Sequence, residues 1–160
     1  MRLALHVNGA TRTVEAEPRD TLADTLRDGA GLTALHLGCE QGACGTCTVL
    51  LDEEPVRSCI VLAVTAEGRE IRTLEGLAGD PMTEALRRAF HEEHALQCGY
   101  CTPGMLVTAR DILRRFPRPD EATIRRELAG QICRCTGYMG IIAAIRRAGE
   151  ALHETAEAGA

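Results

Sequence analysis

The sequence predicts an α+β chain, with a strand-rich half over residues 1–77, an all-helical half over residues 78–155 and a short frayed tail at 156–160. Three observations carry this reading. Apolar and polar residues alternate on both sides of an Asn-Gly pair near the start. After residue 78 the apolar spacing changes to threes and fours, behind proline-marked starts. Eight cysteines fall into two sets of four, one set in each half. A period of two marks a half-buried strand, and a period near 3.6 marks an amphipathic helix.

Residues 3–7 alternate, and Asn8-Gly9 supplies the pair that tolerates positive φ in a two-residue hairpin, so residues 11–16 are the returning strand. After Pro18, Asp20 is placed to cap a short helix through Leu22 and Leu26, stopped by Gly29 and Gly31. The cysteine loop comes next, followed by the β-rich run 46–51. Residues 52–55 turn the chain, residues 56–64 carry Cys59 through an apolar stretch, and residues 70–73 form one more short strand. In the second half, Asp80-Pro81 is an N-cap followed by proline at the first helical position, opening a helix to about His94. Thr102-Pro103 repeats the device directly after Cys101, ahead of an apolar stripe from Met105 to Leu113. Phe116-Pro-Arg-Pro119 breaks that helix, and Asp120 caps a third that ends at Gly130. The last begins after Cys135-Thr-Gly, with Ile141, Ile145, Ala148 and Leu152 on one face. Four helices with cysteines at their junctions predict a compact bundle gripping a metal site.

Composition narrows the function. Apolar residues make up 45% of the 160, enough for a core, but aromatics are 2% and Trp is absent. That core must be built from Leu, Ile, Val and Ala. All 18 basic residues are Arg, the net charge is −5, and no basic run interleaves with aromatics, which argues against a nucleic-acid partner. No apolar run is long enough to cross a bilayer, so membrane insertion is not expected. The N-terminal residues lack the apolar core and cleavage site of a secretory signal. A cytoplasmic placement with reduced thiols follows, and there eight cysteines argue for metal rather than disulfides.

The first set is the more specific. Cys39, Cys44 and Cys47 lie within nine residues, separated by Gly42 and Gly45 and preceded by Gly38, with Cys59 downstream. This is the C-x4-C-x2-C…C spacing of a plant-type [2Fe–2S] cluster. Its glycines let the loop take positive φ and bring N–H groups close to sulfur. Structural zinc normally uses paired short knuckles, which three cysteines in one loop do not resemble. Strands and a helix arranged around such a loop follow the order of a β-grasp ferredoxin. The second set, Cys98-x2-Cys101 with Cys133-x-Cys135, also suits zinc by spacing, but a cluster beside it makes a two-cluster electron relay the more coherent reading. His91 and His94 sit three apart on a helix face and read as solvated. Arg134, between two of the cysteines, is either a charge acting on a cluster or a surface residue.

Three motifs taken together, Gly38-Cys39 through Cys47-Thr-Val with Ser58-Cys59, Gln97-Cys-Gly-Tyr-Cys-Thr-Pro-Gly104, and Ile132-Cys-Arg-Cys-Thr-Gly-Tyr138, resemble the small iron–sulfur subunit of molybdenum hydroxylases. That group includes carbon monoxide dehydrogenase, xanthine dehydrogenase and aldehyde oxidoreductases. The resemblance covers nearly the whole chain. It implies a β-grasp domain holding one [2Fe–2S] cluster on Cys39, Cys44, Cys47 and Cys59, the outer one, near the flavin. A four-helix domain would hold the inner cluster, near molybdenum, on Cys98, Cys101, Cys133 and Cys135. Gln97 and Cys135 would approach the pterin of the molybdenum cofactor in a large subunit. FAD would sit in a medium subunit, the whole forming a dimer of heterotrimers. The chain would then relay electrons from molybdenum to FAD without being catalytic alone. Two departures stand out: Ala34-Leu-His36 where the family often reads Gly-Thr-Lys, and Glu53-Glu54 where a turn glycine is expected. The rival readings are a free-standing ferredoxin-like carrier and a zinc-stabilised interaction module.

Overall fold

The computed structural model describes residues 1–158. Five strands form one mixed sheet, and α-helices follow. The strands β1 (Arg2–Val7), β2 (Ala10–Glu15), β3 (Thr48–Leu51), β4 (Glu54–Arg57) and β5 (Glu70–Arg72) are ordered β2-β1-β5-β3-β4. β1 and β2 pair antiparallel across Asn8 and Gly9, both at positive φ, so the Asn-Gly pair makes the hairpin it predicts. β1 and β5 run parallel, with His6 opposite Glu70, and β3 is antiparallel to both β5 and β4.

Leu3, Leu5 and Val7 face inward from β1 and meet Leu22, Leu26, Val49 and Ile71 in one core. β3 is buried on both faces. Its Val49 and Leu51 belong to that core, while Leu50 packs into a second core with Leu86, Phe90, Met105, Ile112 and Ile145. The strand therefore joins the two halves.

Five α-helices are present among the described residues. One, α1 (Leu22–Asp24), lies in the strand-rich half and runs into a π-helical turn (Thr25–Gly29). The others are α2 (Pro81–Glu92), α3 (Thr102–Arg115), α4 (Glu121–Glu127) and α5 (Met139–Ala158). α1 is capped by Thr21, whose Oγ1 accepts from Asp24 N at 3.1 Å; Asp20 accepts instead from Glu17 N, one turn earlier. α3 has Cys101 at its capping position and Pro103 at the second helical position, so it does not repeat the Asp80-Pro81 arrangement. α2 stops at Glu92, because His94 has turned to φ 51°. Residues 56–64 are mostly not strand: β4 ends at Arg57 and the 3-10 turn Ser58–Ile60 carries Cys59. The final helix occupies residues 156–158 of the expected frayed tail, and residues 159–160 of that tail lie outside the described residues. No described helix is long and apolar enough to cross a membrane.

The β3–β4 turn shows why glutamates stand at residues 53 and 54. Asp52 and Glu53 both take positive φ, 51° and 66°, which a glycine would do at less cost. Glu53 pairs with Arg72 and Arg110, and Glu54 pairs with Arg114, so the turn is tied to α3. Arg110 also grips both carboxylate oxygens of Asp80, the α2 cap, at 3.2 and 3.3 Å. Burial opposes the Asp80 charge, but Arg110 and the Thr83 N–H outweigh it and hold the carboxyl below its ordinary value.

Asp80→Ala removes the cap and the ion pair together and is expected to cost about 2 kcal/mol at neutral pH. Asp80 has a depressed pKa in the folded state. Its contribution is therefore complete above the unfolded aspartate value and lost as pH falls through the folded one. Thermal midpoints of both proteins should differ clearly at neutral pH and converge in acid. A gap that stayed constant with pH would disprove the charge assignment.

Candidate metal centre

The first cysteine loop leaves the π-helical turn and enters β3. Its backbone takes positive φ at Glu40 (56°), Gly42 (77°) and Gly45 (81°). Gly38 serves a different purpose, because a Cβ there would come within 3.1 Å of Cys44 Sγ. The winding directs N–H groups at sulfur. Cys44 N donates to Cys39 Sγ at 3.3 Å, and the N–H groups of Gln41 and Cys44 lower the Cys39 thiol to about 7. Beneath them Cys47 and Cys59 are buried side by side. Burial, and then the bond with Cys47, pushes Cys59 up to about 11. Thr46 Oγ1 lies 3.2 Å from Cys44 Sγ and donates to His36 O at 3.0 Å.

The second set occupies two loops, before α3 and before α5. Cys98 and Cys135 place their sulfurs 3.4 Å apart, and both are exposed. Burial and then the bond with Cys133 push Cys101 up to about 12. Cys133 is buried, which opposes its charge, but the Thr136 hydroxyl donates to its sulfur at 3.1 Å and leaves the thiol lowered. Tyr138 holds this loop shut: its hydroxyl accepts from Cys133 N and donates to Gln131 O, both at 2.9 Å. The helical core therefore takes in Cys133 and packs against Cys101, while Cys98 and Cys135 stay open. All four border the cleft shared with the first loop.

The two loops are bonded to each other. Ile132 N donates to Cys44 O at 2.8 Å. Tyr100, between Cys98 and Cys101, donates its hydroxyl to Leu37 O at 2.7 Å. The His36 ring stacks on Tyr100 with centroids 4.7 Å apart, and its Nδ1 lies 2.7 Å from the Tyr100 carbonyl. Because that carbonyl can only accept, Nδ1 carries the proton. The unusual His36 is thus a clamp between the cysteine loops. A cleft of about 300 Å³ remains between them, with Cys44, Thr46, Cys98, Cys101 and Cys135 among its walls. Arg134, exposed, also borders it.

The thiols meet two by two. Cys39 pairs with Cys44, Cys47 with Cys59, Cys98 with Cys135 and Cys101 with Cys133. Among the described residues no three His, Cys, Asp or Glu side chains are placed to hold a single metal ion. A tetrahedral zinc needs four sulfurs about 2.3 Å from one point. A [2Fe–2S] cluster takes four thiolates spread over two irons, and two pairs per set fit that need. Thr102 Oγ1, beside Cys101, is buried with no hydrogen-bond partner among the described residues, a donor left over for a group held there. Gln97 is exposed next to Cys98. The sequence assigns no role to Gln131, to Thr136 or to the His36–Tyr100 stack, although Tyr100 and Thr136 stand inside the cysteine motifs and His36 belongs to one of the two departures. Gln131 stands just outside the motifs, immediately before Ile132-Cys133.

Comparison with known proteins agrees with this chemistry. A 2Fe-2S iron-sulfur cluster binding domain family matches residues 5–98, and a [2Fe-2S] binding domain family matches residues 73–146. Caffeine dehydrogenase subunit gamma of Pseudomonas sp. (strain CBB1) is 50% identical over 147 residues, covering 90% of this chain and 88% of that one. The nicotine 6-hydroxylase small subunit of Paenarthrobacter nicotinovorans is 46% identical, over 91% and 87% of the two chains. The crystal structure of quinoline 2-oxidoreductase from Pseudomonas putida 86 superposes with a TM-score of 0.88 at 49% identity, covering 96% of each chain.

Gly45 is the position where this site tolerates least. A Cβ there, at φ 81°, would meet the Gln131 side chain at 2.2 Å and Gly130 O at 2.7 Å. Gly45→Ala should cost about 3 kcal/mol in strain and overpacking and lower the visible absorbance of the purified holoprotein. Full absorbance with an unchanged thermal midpoint would mean that the loop has slack that this geometry does not allow.

Proposed function

The chain belongs to the small iron–sulfur subunits of the molybdenum hydroxylases, and from that membership we propose which of its residues serve the complex and how. It is an electron-transfer subunit. Two [2Fe–2S] clusters supply one-electron steps that carry electrons from a molybdenum–pterin centre to FAD, both borne by partner subunits.

Cys39, Cys44, Cys47 and Cys59 hold the outer cluster, and Cys98, Cys101, Cys133 and Cys135 hold the inner one. The observation that carries this assignment is the pairwise meeting of the eight thiols on loops joined by the Ile132–Cys44 hydrogen bond. The exposure of Cys98, Cys135 and Gln97 supports placing the inner cluster toward the molybdenum subunit. Leu96, Tyr100, Ile132 and Met139 are exposed near these loops and give a partner apolar surface to cover. On this reading Gln97 donates to or accepts from the pterin, and Cys135 approaches it. Cys39 and Cys133 gain from backbone N–H and hydroxyl donors, which favour their thiolates and so favour retention of metal. The strand-rich part up to residue 77 is then the β-grasp domain and the rest a four-helix domain. The partners are a large molybdenum subunit and a medium FAD subunit, assembled as a dimer of heterotrimers in the cytoplasm.

Cys44→Ala should lower iron from about four to about two per chain and remove one of two reduced [2Fe–2S] EPR signals. Retention of both signals would defeat the ligand assignment. Gln97→Ala should keep both clusters yet slow reduction by substrate in the assembled complex by about tenfold or more, since small misplacements are costly there. An unchanged rate would remove the pterin contact from this account.

A further inference from the structure

Gln131 is not a ligand of either thiol set, yet its side chain reaches from one cysteine loop into the other. It is 2% exposed. Oriented so that its oxygen faces donors, its amide nitrogen donates to Gly45 O at 3.1 Å, and its oxygen accepts from Arg57 at 3.1 Å and from the Thr108 hydroxyl. The reverse orientation would set its oxygen against the Gly45 carbonyl, which also only accepts. Gly45 lies between Cys44 and Cys47. Its peptide is held from a second side by α3, where a Cβ on Gly104 would fall 2.4 Å from Gly45 O. Thr48 Oγ1 donates to the same carbonyl at 2.6 Å and accepts from Arg57 at 2.7 Å, while Arg57 also reaches Gly130 O at 3.0 Å. On the other side, the Gln131 main chain leads directly into Ile132 and Cys133, and its carbonyl anchors Tyr138.

The amide is therefore the only described side chain whose polar atoms join the peptide between two first-set cysteines to helix α3 while its own backbone carries the second set. We infer that Gln131 is a positioning residue that fixes the separation of the two thiol sets, and with it the magnetic and electronic coupling of the groups they hold. The inference rests on the two-cluster reading above. A buried amide has directional partners on three sides, so it resists both sliding and opening, which an apolar side chain of similar volume would not. Replacing it with leucine leaves Gly45 O and Arg57 with one partner fewer in a water-poor place, and the loop relaxes away from its neighbour.

The test uses the full chain as isolated with its clusters. Wild type, Gln131→Leu and Thr108→Val are compared by iron and sulfide content, by redox titration, and by EPR of the fully reduced state. The splitting between two nearby paramagnets in that spectrum falls steeply with their separation. Gln131→Leu is expected to keep both clusters while its splitting shrinks and broadens. Thr108→Val, which removes a single partner, should move it the same way by less. Unchanged splitting and potentials in a Gln131→Leu protein that retains both clusters would overturn the inference. If Gln131→Leu loses a cluster, Thr108→Val decides alone: a reduced splitting supports the inference and an unchanged one overturns it. Wild-type protein without two [2Fe–2S] signals would instead overturn the two-cluster reading, and this inference with it.

Discussion

The cost of gathering sulfur is the constraint on which the structure depends. On the two-cluster reading, the four thiols of each set must approach one another closely enough to share a metal group, and as thiolates they repel. The fold answers with donors at some positions and burial at others. Cys39 is brought down by loop N–H groups, whereas Cys59 and Cys101 are pushed up chiefly by burial. Each set therefore contains thiols that ionise readily beside thiols that do not. A cluster's positive irons would stabilise the reluctant members, so binding the group and finishing the loops are one process.

That process needs walls, and the loops wall each other. The first loop is held from below by the strand core and from the side by α3, through Gly104 and Thr108. β3 makes this possible because its two faces belong to different cores: Leu50 packs with the helices while Val49 and Leu51 pack with the sheet. The arginines of α3 reinforce the joint at the far end of that strand, where Arg110 and Arg114 reach the turn glutamates. Each such exposed ion pair contributes little, about 0.5 kcal/mol. Arg110 is the exception, because it is nearly buried and also holds the α2 cap.

The parts legible in the sequence are those set by local chemistry. Asn8-Gly9 could hardly be anything but a tight hairpin, Asp80-Pro81 and Asp120 cap the helices they precede, and cysteine spacing names its cluster. The misses come where a competing or distant partner decides. Asp20 is by residue type the better cap, but its carboxylate is taken by Glu17 N, and Thr21 caps the helix instead. Residues 56–64, read from sequence only as an apolar stretch carrying Cys59, take 3-10 turns after β4 where Cys59 meets Cys47. Gln131 reaches back to Gly45 and Arg57, and His36 stacks on Tyr100 64 residues away, and no periodic pattern records such contacts.

The exposure of the thiols is uneven, and the unevenness has direction. Cys47 and Cys59 are covered by the chain's own core, while Cys98 and Cys135 lie open at the opposite end of the loop pair. A metal group bound there would meet water unless another protein covered it. Tyr100, Ile132 and Met139, large apolar side chains exposed near the same loops, are poor residues to leave in solvent and good ones to bury. An independent carrier also leaves an edge within reach of its partners, but a standing apolar surface beside that edge suits a lasting contact better than a passing one. On the proposed reading, the partner that covers those thiols would also bring its electron donor within reach. Open thiols beside exposed apolar side chains thus fit the subunit reading: a neighbour laid over this end would dry both at once.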